Sequence, residues 1–187
     1  MALNAQAAVA VLHALHCPLK SSAQALSRWS PLPGAGQAEH LPHNIVLLDH
    51  SNTQELLATQ AAFGHLLDHA PQAMQRLVVL GGVKPADAVS LSTAAAHSLH
   101  SAQLQIEPLL RSTATRRVLL YGQAMVGLAQ QLKDQSQVSW YEDLNQLIQS
   151  LLQCLQPHDT VLLVGRAIVN LSIVAGALRE IDEDRLK

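Results

Sequence analysis

The sequence predicts an α/β fold. We expect a Rossmann-like, doubly wound, mainly parallel sheet of about five to six strands with helices on both faces, preceded by two helices. Repeatedly, a short apolar run ends in a small or polar turn and continues as a helix-period stretch. A buried strand that runs directly into a helix N-terminus is the unit of a parallel α/β sheet. The clearest example is 160–164, followed by Gly165-Arg166 and a helical pattern from 168 to 181.

Two helices are predicted ahead of the sheet. Apolar residues recur at helical spacing over 3–16, and Pro18 ends that pattern. Ser21 or Ser22 is the expected cap of a second helix that runs through Trp29.

A domain boundary is predicted in the segment 30–36, which contains two Pro and two Gly. Such a segment is typical of a turn or linker. We therefore expect 1–36 to be a helical segment and linker, and 37–187 to be the α/β domain.

The remaining elements alternate between strand and helix. The predicted strands are 45–48, 76–80, 117–121, 138–141 and 160–164. The predicted helices are 53–69, a long stretch from about 87, 123–133, 143–156 and 168–181. Asn52 or Thr53 is the expected cap of the first of these. Pro108 is expected to kink or end the long helix that starts at about 87. Asp143 is expected to cap the helix 143–156. The strand 138–141 is expected at an edge because it is short and half polar.

The composition argues against several classes of function. The net charge is −2 and only 14% of residues are charged, which argues against binding to nucleic acid or to a membrane surface. Neither a signal peptide nor an apolar run long enough for a membrane span is recognised, so a cytoplasmic protein is expected. Cys17 and Cys154 are interpreted as small buried hydrophobic residues.

The usual nucleotide-binding motifs are missing from the sequence. It contains no GxxxxGK[ST] and no GxGxxG after a strand, and the Gly34-Ala-Gly36 pair follows Pro33. A GxSxG nucleophile elbow is also missing.

Polar residues at the strand-to-helix turns are the candidate ligand-binding residues, because ligand sites in such folds lie there. Asp49 follows the first predicted strand, where we expect a carboxylate close to a substrate or to magnesium, with Asn52 as a hydrogen-bonding partner. Alternatively, Asp49 or Asn52 caps the next helix. Arg166 stands beside a helix N-terminus, where it binds a carboxylate or phosphate or, alternatively, a neighbouring loop.

Two histidine pairs have helical spacing. His97 and His100, and likewise His13 and His16, lie three residues apart, which places both rings on one face of a helix. No acidic residue or Cys stands at a matching offset, so we favour solvent-facing histidines over a metal site.

The order of segments resembles the C-terminal domain of the Mur ligase family, and within it the branch that adds D-alanyl-D-alanine. Residues 4–11 resemble the family helix that follows the ATPase core, and 31–34 resemble the P-x-P-G-R linker. Residues 47–52 resemble the D-[DS]-Y-N segment, and 77–81 resemble the strand before G-D-M, with His97 or His100 as the histidine of the following helix. Residues 159–165 resemble the D-x-x-L-x-K-G-S-R strand and turn.

Several charged positions of the family pattern are replaced. The linker Arg is Ala35, the aspartate of G-D-M is Gly82, and the Lys of K-G-S-R is Val164. The Tyr of D-[DS]-Y-N is Ser51 here. Arg166 stands one position before the place of the Arg of K-G-S-R.

The resemblance implies a function in peptidoglycan precursor synthesis. In the intact family enzyme, ATP with magnesium converts a peptide carboxylate to an acyl phosphate, which the amine of the incoming amino acid or D-Ala-D-Ala attacks. Asp49, Asn52 and Arg166 would bind this substrate, and Gly81 and Gly165 would lie near the phosphates. The chain alone would bind no cofactor and would need upstream ATPase and UDP-binding domains, in the same or another chain.

Two alternatives stay open. The chain is a degenerate, non-catalytic Mur-ligase-like domain that binds or scaffolds, or it is a generic Rossmann-like binding domain whose similarity is architectural only.

Overall fold

The computed structural model describes residues 2–28, 30, 32–53, 55–82, 105–166 and 169–182. The chain forms two compact units, Met1–Pro31 and Leu32–Lys187. His97 and His100 lie outside the described residues.

The first unit is a pair of helices in contact, α1 at Ala2–Ala14 and α2 at Leu19–Ser27. The predicted serine cap of α2 is wrong. Ser21 and Ser22 lie inside the helix, and both hydroxyls donate to the carbonyl oxygen of Pro18, at 2.8 and 3.1 Å. These serines therefore satisfy the preceding carbonyl and leave the first-turn amides uncapped.

The second unit contains one six-stranded sheet, in the order β1-β2-β6-β3-β4-β5. The strands are β1 Gln37–Leu41, β2 Ile45–His50, β3 Arg76–Gly81, β4 Arg117–Tyr121, β5 Val138–Tyr141 and β6 Thr160–Gly165. All neighbours pair in parallel except β1, which is antiparallel to β2. The predicted fold class is confirmed, and β5 is an edge strand as expected.

The other edge strand, β1, was not predicted. Its sequence Gln-Ala-Glu-His-Leu is mostly polar, and its residues alternate between half-buried and exposed. Antiparallel edge strands carry a weaker apolar signal than buried parallel strands do. Its pairing with β2 covers one long edge of the parallel sheet.

Helices cover both faces of this sheet. They are α3 Leu56–His69, α4 at 105–112, α5 Val126–Gln131, α6 Leu144–Cys154 and α7 Leu171–Arg179. Residues of α3, α4 and α5 form one core with the sheet, and residues of α6 and α7 form the core on the opposite face. Every residue of β3 and of β6 is buried, as expected for strands covered on both sides.

The predicted caps have mixed outcomes. Asp143 caps α6, accepting a hydrogen bond from the backbone N of Gln146 at 2.8 Å. The predicted cap of α3 at Asn52 or Thr53 is wrong, because the N-cap position is Glu55, which makes no side-chain cap bond. Pro108 does not end α4, which continues to residue 112.

Cys17 and Cys154 are free thiols, and both are partly exposed instead of buried as predicted. Among the described helices, none is both long and apolar enough to cross a membrane.

Candidate functional site

Three turns meet at the carboxyl edge of the parallel strands, after β2, β6 and β3. In the sheet, His50 pairs with Val164 of β6, and Gly165 pairs with Gly81 of β3. The fold therefore brings Asp49, Asn52, Gly81, Gly165 and Arg166 to one edge. We call this region the carboxyl-edge site.

Close packing holds the turns after β6 and β3 together. A Cβ atom at Gly165 would lie 2.5 Å from the carbonyl oxygen of Gly81 and 2.6 Å from Cδ1 of Leu171. The backbone N of Arg166 donates to the same Gly81 oxygen at 3.3 Å. Gly82 follows with a φ of +55°, a conformation that favours glycine. The two glycines at 81 and 165 thus permit two strand ends to approach each other.

Asp49 is buried and fully engaged. Its Oδ1 accepts from the backbone N of Ser51 at 3.0 Å, and its Oδ2 accepts from Nη2 of Arg179 at 3.0 Å. Arg179 also donates to both carboxylate oxygens of Glu39, at 2.8 and 2.6 Å. Asp49 therefore neither caps α3 nor faces solvent, and it organises the turn that carries Asn52.

Asn52 is exposed beside this turn. Its backbone N donates to the carbonyl oxygen of Gly34 at 2.9 Å. A Cβ at Gly34 would lie 2.8 Å from Oγ of Ser51, so the Pro33-Gly34 linker packs against the turn after β2. This backbone pairing fixes the turn that carries the exposed Asn52 side chain.

Arg166 is partly buried at the turn after β6. Its Nε is inaccessible to solvent and has no hydrogen-bond partner among the described residues. A buried guanidinium N–H without a partner is energetically unfavourable. This is the observation at the carboxyl-edge site that best fits a nearby anion.

A histidine cluster lies next to the site, and the sequence analysis missed it. Nε2 of His50 lies 3.2 Å from Nδ1 of His65, and the rings of His65 and His69 are 4.5 Å apart. The i,i+4 spacing of His65 and His69 was the available signal, while the contact with His50 depends on the fold. His13 and His16 are exposed, as expected. In the described parts of the chain, no three His, Cys, Asp or Glu side chains are arranged to hold a metal ion.

Burial, followed by the neighbouring His65, lowers the pKa of His50 to about 4, while Asp49 opposes the shift. Burial followed by His69 also lowers the pKa of His65. Both imidazoles are therefore neutral at pH 7.

The His50 shift predicts acid sensitivity. The unfolded chain takes up this proton near pH 6.5 and the folded protein only near pH 4, so the free energy of unfolding falls as the pH is lowered between these values. The partly exposed ring limits the loss to about 2–3 kcal/mol. Urea unfolding between pH 7 and 4 measures it. His50→Gln should flatten the profile and His13→Gln, at an exposed position on α1, should not. An unchanged profile in His50→Gln would contradict the assignment.

Comparisons with known proteins give a match only at the level of three-dimensional structure: no protein-family model and no curated protein matches the sequence. MurF from Acinetobacter baumannii superposes with a TM-score of 0.74 and 18% identity over 95% of this chain and 37% of that one. MurF ligase from Thermotoga maritima in complex with ADP has a TM-score of 0.65 and 13% identity, over 92% and 36%. UDP-N-acetylmuramate-alanine ligase MurC from Thermotoga maritima has a TM-score of 0.68 and 13% identity, over 96% and 36%.

The likeness covers nearly all of this chain, which spans 37% of the length of the Acinetobacter MurF. The resemblance predicted from the order of sequence motifs is thus confirmed at the level of the fold. This chain has the fold of a part of the Mur ligases.

Proposed function

We propose that this chain is the C-terminal, amino acid- or dipeptide-binding domain of a Mur-ligase-like, ATP-dependent enzyme of peptidoglycan precursor synthesis. The observation that carries this proposal is the assembly of the family-like turns at one sheet edge, within a fold shared with Mur ligases over 95% of the chain. The structural likeness alone does not choose the substrate, because MurF and MurC structures match similarly. The preference for D-Ala-D-Ala comes from the sequence motifs.

Asn52 and Arg166 are the proposed substrate contacts. The exposed amide of Asn52 can donate to and accept from a peptide group. The Arg166 guanidinium offers positive charge to a carboxylate or phosphate. Asp49 acts indirectly, because its carboxylate is occupied by Ser51 and Arg179. We assign it the role of positioning the turn that presents Asn52.

ATP, when bound to the intact enzyme, would supply the phosphoryl group that activates the acceptor carboxylate. Gly81 and Gly165 are the proposed phosphate-proximal positions because they end two neighbouring strands beside Arg166. The Nε of Arg166, which has no partner among the described residues, fits an anion nearby. Magnesium does not fit the described residues of this chain by themselves, since they contain no suitable ligand cluster. Upstream ATPase and UDP-binding domains would provide the rest.

The helical unit is the proposed remnant of a preceding ATPase domain, with the linker through residue 36 joining it to the α/β domain. Val11, Leu15 and Leu19 of this unit are more than half exposed, at 59%, 67% and 55%. Exposed apolar side chains grouped on a helix pair are typical of a surface that another domain covers. An ATPase domain in the same or another chain is the expected partner.

A non-catalytic binding or scaffolding domain is the second candidate. Two of the substituted family positions are built into the fold: Val164 is fully buried in the core, and Gly82 has a positive φ with a Cβ position 3.1 Å from Val169. Restoring the family residues by Val164→Lys and Gly82→Asp would therefore destabilise the domain.

Binding of D-Ala-D-Ala tests the leading proposal. We expect amide shifts in a ¹⁵N–¹H spectrum at 50–52, 81–82 and 165–166, with a Kd of about 1 mM or weaker because the other domains complete the pocket. Asn52→Ala and Arg166→Gln should each weaken binding by about fivefold or more.

Asn145→Ala and Arg28→Gln are the matched controls, because both residues are exposed and lie outside the site. They should leave the Kd unchanged, and L-Ala-L-Ala should bind less well. Equal shifts with L-Ala-L-Ala, or no shifts with the D-dipeptide, would contradict the proposed dipeptide specificity.

A further inference from the structure

A polar cavity lies between the sheet and α6, beginning at the amino end of β4. It has a volume of about 370 Å³ and is lined by the first residues of β4, by β5 and by the end of α6. Small-molecule sites occupy about 300–1,000 Å³, so the cavity is large enough for a small metabolite. We call it the amino-edge cavity.

One arginine that has no ion pair among the described residues, Arg117, gives this cavity its positive charge. None of its ten lining residues, all within the described part of the chain, is Asp or Glu. Arg117 is exposed and forms no ion pair with any described residue. Burial raises the pKa of the Cys154 thiol, so no thiolate opposes this charge at pH 7. Arg117 is therefore a cation free to meet an anionic ligand.

Arg116, next to Arg117, connects the start of β4 to Asp159 and to the end of α6. One of its Nη groups is paired with the buried Asp159. The other donates to the carbonyl oxygen of Cys154 at 2.9 Å, at the end of α6. The Asp159 carboxylate balances the charge of Arg116. Arg116 therefore ties the start of β4 to the end of α6 and leaves Arg117 as the cation available to a ligand.

Hydroxyl and amide groups also line the amino-edge cavity. The Tyr141 hydroxyl donates to Oγ of Ser150 at 2.6 Å, which leaves the Ser150 proton for another acceptor. Ser139 and Gln153 add a further hydroxyl and an amide. Such groups match the hydroxyls of a polyol.

We infer that the amino-edge cavity binds a phosphate monoester of a small polyol, with the phosphate at Arg117 and the hydroxyls along Ser139, Ser150 and Gln153. The site is independent of the proposed substrate site, because none of its lining residues belongs to the carboxyl-edge site. It is a ligand site in addition to the one proposed for a ligase domain.

Ribose 5-phosphate is the test probe, titrated into the whole chain with amide shifts as the readout. Saturable shifts are expected at 117–119, 139–141 and 150–156, with a Kd of about 1 mM. Neutral ribose should give none, and inorganic phosphate should bind more weakly. Arg117→Gln should weaken binding about tenfold or more.

Arg28→Gln is the matched control, since it removes an exposed Arg that does not line the cavity. Ser139→Ala should weaken ribose 5-phosphate without changing the Kd for inorganic phosphate. Equal weakening by Arg28→Gln would overturn the proposal in favour of general charge attraction. Shifts confined to 50–52, 81–82 and 165–166 would overturn it by placing the ligand at the carboxyl-edge site.

Discussion

Gly165→Ala is expected to lower the free energy of unfolding by about 3 kcal/mol. The added methyl group would lie 2.5 Å from the carbonyl oxygen of Gly81 and 2.6 Å from Cδ1 of Leu171. Neither neighbour can withdraw easily, because the first is backbone in a fully buried strand and the second is a fully buried side chain. Urea unfolding measures the loss.

Two glycines provide the comparison for this substitution. Gly81→Ala should lower the free energy of unfolding by less than Gly165→Ala does, because its added Cβ would lie 3.3 Å from a Leu171 side-chain atom. Gly176 lies inside α7 with nothing within 4 Å of an added Cβ, so Gly176→Ala should stabilise by about 0.5–1 kcal/mol. A Gly165→Ala protein as stable as Gly176→Ala would contradict the close approach of β6 and β3.

Arg179→Gln is expected to lower the free energy of unfolding by about 2 kcal/mol. The substitution leaves the Asp49 carboxylate, whose side chain is only 4% exposed, without its charge partner. The cost is smaller than for a fully buried pair because the Arg179 side chain is itself 39% exposed. Chemical denaturation at pH 7 measures it.

Arg111→Gln is the matched control for this ion pair. The Arg111 side chain is also 39% exposed, but its partner Glu107 retains 24% exposure. Little change in stability is expected, because surface ion pairs contribute little. In a double-mutant cycle with Asp49→Asn, the loss at Arg179 should shrink by about 1 kcal/mol or more. Additive losses would show that Asp49 does not depend on Arg179.

The parallel strands β2, β3, β4 and β6 were predictable because each is a short apolar run bounded by polar or turn residues. The bounds of β4 and β5 agree with the sequence prediction, and β3 and β6 extend it by one residue. Strands buried on both faces need continuous apolar sequence, which makes them visible without an alignment. The polar edge strand β1 lacks this signal.

The candidate site was predictable in position but not in detail. Strand-to-helix turns located Asn52, Gly165 and Arg166 at one edge. The pairing of Asp49 with Arg179 joins residues 130 positions apart, and the contact of His50 with His65 joins β2 to α3. Neither contact follows from local spacing, because each depends on how α7 and α3 pack on the sheet.

ADP formation by the native protein, immunopurified from its source cells with an antibody against this chain, tests the proposed ligase function most directly. We expect ADP and a new peptide bond only when ATP, UDP-N-acetylmuramoyl-tripeptide and D-Ala-D-Ala are all present. Asn52→Ala and Arg166→Gln in the native protein should reduce this rate. Native protein that forms no ADP and no ligated product from these substrates, or from single amino acids, would contradict the ligase function and favour the non-catalytic domain.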